Sequence, residues 1–251
     1  MQELSNMTVR EIALEAPLTT RVFEEFKIDF CCGGRIPFNE ACQKAGVDPA
    51  VVQAKLDTIL ANKSSGTDQT AERKPITELI DHIVSTHHVF TRSEIGRLLP
   101  LMEKVASRHG ENHPELLEIK SLFQEIAEEL LLHMRKEEAV LFPYIEQVDV
   151  ASSGRLPIPL AHFGTVQNPV RMMMFEHDKA GDILRKMREL SVDYSAPPDS
   201  CPSFKGLYAG LEDLERDLHQ HIHLENNVLF PQAIDAERSL LEGVAASQKD
   251  S

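Results

Sequence analysis

The stretch HMRKEEAVLFP (133–143) returns 88 residues later as HIHLENNVLFP (221–231), one phrase written twice with a His-x-x-x-Glu pair and a closing Leu-Phe-Pro in each copy. Each copy follows a segment with one further histidine on an apolar stripe: His88 lies 45 residues before His133, and His177 lies 44 before His221. Self-similarity at this period reads as a duplicated helical hairpin. Four helically periodic stretches, near 76–107, 115–147, 169–191 and 203–236, predict an all-α protein built on an antiparallel four-helix bundle. In the second stretch the stripe Leu116, Ile119, Phe123, Ile126, Leu130, His133, Glu137, Val140, Tyr144 advances by threes and fours, which places His133 and Glu137 inside the core. The fourth gives Leu207, Leu211, Leu214, Leu218, His221, Glu225, Val228, and the third Val170, Met173, His177, Ala180, Leu184, Met187. In the first, Val84, His88, Thr91, Ile95, Leu98, Met102, Val105 selects His88, but Ile76, Ile80, Ile83, His87, Phe90 competes, so the choice between His87 and His88 stays open.

Polar groups turned into a bundle need partners, since each one left unpaired costs about 1 to 3 kcal/mol. Buried His–Glu salt bridges are one solution. The duplicated spacing and the two lone stripe histidines favour metal instead. A His-x-x-x-Glu pair sets both side chains on one face a turn apart. Two pairs plus two lone histidines exceed the needs of one tetrahedral zinc and fit two ions bridged by Glu137 and Glu225. Mixed imidazole and carboxylate donors suit iron, with manganese sharing the preference. Ferritin-like bundles use Glu-x-x-His. That spacing occurs nowhere in the chain, which turns the expectation toward a histidine-rich, hemerythrin-like bundle.

The rest of the chain frames this site. The formal net charge of −14 over 251 residues repels phosphate backbones and anionic membrane surfaces, so neither nucleic acid nor membrane is an expected partner. No apolar leader or run of about 18 apolar residues occurs, and a cytoplasmic location is expected. The polar segment 63–74 reads as a linker after a small N-terminal helical domain (1–62). The bundle then covers 75–238, and a polar, flexible tail covers 239–251. In the small domain, Thr8 and Glu11 form a capping box before a short helix, a second helix covers about 21–26, and Asp48-Pro49 starts a third. Between them Phe30-Cys31-Cys32-Gly33-Gly34 forms a turn. Adjacent thiols near Lys27 and Arg35 suggest a stabilised thiolate able to relay iron, sense nitric oxide or exchange a disulfide, against the plainer reading that cysteines fill a tight turn. Phe23, Phe26 and Phe30 suggest a patch for homodimerisation. His219 and His223 lie off the stripe and are expected to be exposed, and His82, His113 and His162 are assigned to the surface or to caps. The stretch 150–167 is long for a connection and reads as a lid or an insertion. No acid/base dyad, Ser-His-Asp set or phosphate-binding glycine loop argues for a hydrolase or kinase.

With Phe-Cys-Cys-Gly-Gly at 30–34 ahead of Ile80-Asp81-His82, Phe175-Glu176-His177-Asp178 and Leu224-Glu225-Asn226-Asn227-Val228-Leu229-Phe230-Pro231, the chain resembles the RIC (repair of iron centres) family, also called the YtfE/ScdA family. The resemblance covers nearly the whole length. It implies a non-haem di-iron centre, with or without an oxo bridge, with His88, His133, His177 and His221 as terminal ligands and Glu137 and Glu225 as bridges. His109, beside Gly110, matches a histidine placed similarly in the family and is carried as an extra ligand or access-path residue. The resemblance further implies repair of iron–sulfur clusters damaged by nitrosative or oxidative stress, by supply of iron to damaged proteins or apo-cluster scaffolds. A nitric oxide reductase and a nitric oxide or oxygen sensor are the alternatives.

Overall fold

The structure, a computed structural model, describes every residue except 1–3, 5–6, 32, 64–74, 153–160 and 248–251. Cys32, nearly all of the expected linker, the middle of the 150–167 stretch and the end of the tail therefore lie outside the described residues. Two compact units form: Met1–Pro75 with His219–Pro231, and Ile76–Leu218 with Gln232–Ser251.

The first unit begins with α1 (Val9–Glu15). Its capping box is present: the Glu11 amide donates to Thr8 Oγ1 at 3.2 Å, and the Thr8 amide donates to Glu11 Oε2 at 2.7 Å. A 3₁₀ turn (Pro17–Thr19) leads into α2 (Thr20–Glu25), followed by α3 (Phe38–Lys44) and α4 (Pro49–Lys63). The sequence reading missed α3, a seven-residue helix too short to show periodicity. Val9, Ile12, Val22, Phe23, Phe30, Phe38, Val52 and Leu56 make the core, with Ile222 contributed by His219–Pro231. Phe23 and Phe30 are fully buried in that core. Two of the three aromatics of the expected dimer patch are therefore interior packing and Phe26 lies partly buried against the same core, because a domain this small spends its large apolar side chains on its own core.

In the second unit, α5 (Ile76–His82) passes through a π turn (Ile83–His88) into α6 (Val89–His109). Next come α7 (Glu115–Lys136), a π turn (Glu137–Leu141) and α8 (Phe142–Ser152). Helix α9 spans Gln167–Leu190, and α10 (Pro202–His223) continues through a third π turn (Leu224–Leu229) into α11 (Phe230–Ser247), with His219–Pro231 of this stretch belonging to the first unit. Helix thus runs past Ser239, where the composition predicts a flexible tail. Leu98 and Met102 of α6, Phe123 and Ile126 of α7, Leu184 and Met187 of α9, and Phe204, Leu211 and Leu218 of α10 interdigitate in one core. Each such side chain contributes about 1.5 to 3 kcal/mol. Gly210 lets α10 approach α6, for a Cβ there would stand 2.7 Å from Leu98 Cδ2. Buried Glu237 of α11 accepts the Tyr144 hydroxyl at 2.5 Å and the Val166 amide at 3.0 Å, which fixes the start of α9.

The π turns explain where the stripes drift. Each inserts an extra residue and rotates the helix beyond it. Ile76, Ile80, Ile83 and His87 are buried before the first turn has ended, and His88 at its end with Thr91, Ile95 and Leu98 beyond it are buried too, so the two competing stripes are successive halves of one face. After Glu137, Leu141 is buried and Val140 is 40% exposed, which corrects the placing of Val140 on the core stripe. In the third turn Leu229 takes the fully buried place next to Val228 for the same reason.

Candidate metal centre

Three π turns carry His88, Glu137 and Glu225, while His133 and His221 sit one turn ahead of the second and third. His177 comes from the regular helix α9. π turns favour functional sites because the extra residue re-aims a side chain without ending the helix. All six residues are buried, with Glu137 and Glu225 at 0% exposure. Their ligand atoms gather into two groups, His88, Glu137, His221, Glu225 and His133, Glu137, His177, Glu225, in each of which all atoms lie within 4.8 Å of one another. Both carboxylates belong to both groups.

Two of the imidazoles are aimed by outer carboxylates. His88 Nδ1 lies 2.6 Å from Glu138 Oε1, and its Nε2 faces Glu137 Oε2 at 3.5 Å. His133 Nδ1 lies 2.8 Å from Glu176 Oε2, and its Nε2 faces Glu137 Oε1 at 3.2 Å and His177 Nε2 at 3.0 Å. His221 Nε2 is 2.9 Å from Glu225 Oε1. When Nδ1–H donates outward to a carboxylate, the Nε2 lone pair is left pointing inward, the arrangement that orients metal-ligating histidines. Burial disfavours the charged form of Glu138, but hydrogen bonds from His88 and Arg92 outweigh it and hold the carboxyl below its usual range. The hydrogen bond from His133, aided by Lys136 and opposed by burial, holds Glu176 down at about 2. Both outer acceptors are therefore ionised at neutral pH.

This donor set fits divalent iron or manganese. Each group offers two imidazole nitrogens and two carboxylate oxygens, and the low-dielectric surroundings make a cation the natural counter-charge for two buried carboxylates.

Other expected site residues lie elsewhere. His87 belongs to neither group and instead bonds Asp217 Oδ1 through Nδ1 at 2.9 Å. His109 ends α6, 21 residues and about 30 Å along the helix axis from His88, with Nε2 3.2 Å from Cys201 Sγ. As the far end of the same helix, it cannot serve as an extra ligand. The Cys31 thiol, 6% exposed, donates to Asp29 Oδ1 at 3.4 Å, so it has an anion as hydrogen-bond partner. Asp29 also accepts the amides of Cys31 (3.0 Å) and Gly33 (2.9 Å), which shapes the turn.

The sequence reading missed Glu138 and Glu176, although each directly adjoins a stripe residue, Glu137 or His177. It also placed His223 on the surface. In the structure His223 is buried against the Phe30 ring, with centroids 5.4 Å apart. Burial, reinforced by Arg10 and opposed by a hydrogen bond to the Phe30 carbonyl, pushes His223 down to about 4 and keeps it neutral.

Residues 79–233 match the family model described as the hemerythrin HHE cation binding domain, and residues 5–60 match ScdA_N, a domain of unknown function. The chain is 32% identical to a probable iron-sulfur cluster repair protein of Haemophilus influenzae over 225 residues, covering 90% of this chain and 95% of the relative. It is 32% identical to iron-sulfur cluster repair protein YtfE of Yersinia pseudotuberculosis over 233 residues, 92% and 98% of the two chains. To iron-sulfur cluster repair protein ScdA of Staphylococcus haemolyticus it is 33% identical over 228 residues, 88% and 95%. With both domain models matched in order and relatives aligned nearly end to end, the chain belongs to the RIC family of YtfE/ScdA type.

Proposed function

We propose that this protein holds two non-haem iron ions and uses them to restore damaged iron–sulfur clusters, with damaged cluster proteins or apo-scaffolds as partners. One observation carries the reading: two buried histidine pairs share the same two carboxylates. On this reading His88 and His221 hold one ion, His133 and His177 hold the other, and Glu137 and Glu225 bridge them. The relatives, named as iron-sulfur cluster repair proteins, support the cluster-repair role. Iron bound here would supply a redox-active and exchangeable metal. The chain's own residues supply the rest: Glu138 and Glu176 fix the inward imidazole nitrogens, and four histidines leave coordination positions open for exchange. Cys42 and Cys201 as thiols fit a reducing cytoplasm, and no helix among the described residues is long and apolar enough to cross a membrane.

Iron-loaded protein, mixed anaerobically with a cluster enzyme inactivated by nitric oxide, tests the reading. Recovery of that enzyme's activity, with loss of iron from the donor in proportion, is the expected result. Catalytic consumption of nitric oxide with added reductant and no iron transfer would replace repair by the reductase alternative, and ligand binding with neither outcome would favour a sensor.

A further inference from the structure

The segment that carries Glu225 also grips the turn that carries Cys31. Asn227 Nδ2 donates to the Phe30 carbonyl at 3.4 Å and to His223 Nδ1 at 3.0 Å. His223 reaches the same carbonyl, and its ring meets Phe30 edge-on. Phe30 immediately precedes Cys31. Gly34 closes the turn from the other side: its Cα passes so near the Phe30 carbonyl that a Cβ would stand 2.5 Å from that oxygen. His223 and Asn227 flank Glu225 by two residues on either side, and both are buried, at 4% and 5% exposure. All of these residues lie within the first compact unit.

We infer that His223 and Asn227 are positioning residues that latch the Cys31 turn to the segment bearing Glu225, so that metal held at Glu225 and access to the Cys31 thiol are linked. The linkage rests on the di-iron reading; the latch itself does not. A buried thiol reacts only when its turn opens, and opening requires release of the Phe30 carbonyl. A ligand that holds Glu225 in one position holds its neighbours too, and binding linkage is reciprocal: whatever metal does to the turn, the state of the turn does to metal affinity.

The test follows alkylation of Cys31 by iodoacetamide in a Cys32→Ser background, read by peptide mass spectrometry with fully buried Cys42 as internal control. In metal-free protein, Asn227→Leu and the shape-preserving Asn227→Asp should each react at least about fivefold faster at Cys31, with Cys42 unchanged. Iron loading should slow Cys31 in the parent by at least about fivefold, the lower end of typical couplings, and the ratio should fall toward one in both variants. Equal metal-free rates in parent and variants overturn the latch. Faster reaction at Cys42 as well overturns it too, because the residues then merely hold the core. A parent that takes up iron by elemental analysis yet shows no slowing overturns the linkage. Accelerated variants of a protein that takes up no iron overturn the linkage together with the di-iron reading and leave the latch standing.

Discussion

His88 Nδ1 lies 2.6 Å from Glu138 Oε1, and the Arg92 guanidinium holds the same oxygen at 2.9 Å. The inward-facing nitrogen of His88 is thus oriented by a carboxylate that is itself held in place. Glu138→Gln keeps the shape and removes the charge. It should lower metal affinity about 10- to 100-fold, the usual cost of removing such an outer partner, measured by competition with a chelator. An affinity equal to the parent's would mean that His88 needs no orienting.

Gly34 and Gly33 sit side by side in the turn but face different neighbours. A Cβ on Gly34 would strike backbone, the Phe30 carbonyl carbon at 2.8 Å, whereas one on Gly33 would meet the Asp29 side chain at 2.9 Å. Backbone cannot step aside as a side chain can. Gly34→Ala should therefore destabilise the N-terminal unit by about 2 kcal/mol or more and Gly33→Ala by about 1 kcal/mol or less, as for other strained or overpacked sites. Denaturant unfolding that ranks the two in the opposite order would contradict this account of the turn.

Helix α9 ends in three consecutive left-handed residues, Val192 (φ 50), Asp193 (φ 58) and Tyr194 (φ 52). The turn is held by the Tyr194 amide donating to Ser191 Oγ at 3.0 Å and by Arg188, which bonds Glu215 at 3.0 Å and lies over the Tyr194 ring. Left-handed backbone costs a residue with a Cβ about 1 to 2 kcal/mol, and exposed Val192 gains no packing in return. Val192→Gly should stabilise the protein by about 1 kcal/mol and raise Tm by about 2 to 4 °C. A lower Tm in scanning calorimetry would show that the valine is not strained.

The loops at one end of the bundle are joined by His113, whose Nε2 bonds Asp199 at 3.1 Å and whose Nδ1 bonds Glu115 at 3.1 Å. The bond to Asp199, opposed by burial and aided by Glu115, raises the His113 pKa above its ordinary 6.5. Because the folded pKa is the higher one, the contribution to stability is complete below about 6.5 and is lost as pH rises through the raised value. Asp199 is lowered by the same bond, so its share is lost as pH falls below about 3.8. His113→Gln should reduce the drop in Tm between pH 6 and pH 9 relative to the parent. An unchanged drop would mean that the pair contributes nothing in solution.

The bundle and five of the six stripe residues proposed as ligands were legible because burial and ligation demand the same face of a helix, and a repeated His-x-x-x-Glu shows that face twice. His88 was ambiguous for a physical reason: a π turn shifts the register inside the motif, and periodicity assumes a constant 3.6 residues per turn. Val140 was misplaced by the same assumption. Glu138 and Glu176 were hidden because an orienting carboxylate lies off the core stripe and looks like a solvated helix face. His223 and Asn227 are buried against a segment about 200 residues away in sequence, a contact that no local pattern encodes.

The most direct test of the shared-carboxylate centre is Mössbauer spectroscopy with elemental analysis of anaerobically prepared protein, compared with the Glu137→Ala, Glu225→Ala double variant. Two irons per chain, magnetically coupled in the parent and lost or uncoupled in the variant, is the predicted result. A metal-free parent, or a single ion indifferent to both substitutions, would contradict the account and leave the six buried residues as a hydrogen-bonded network.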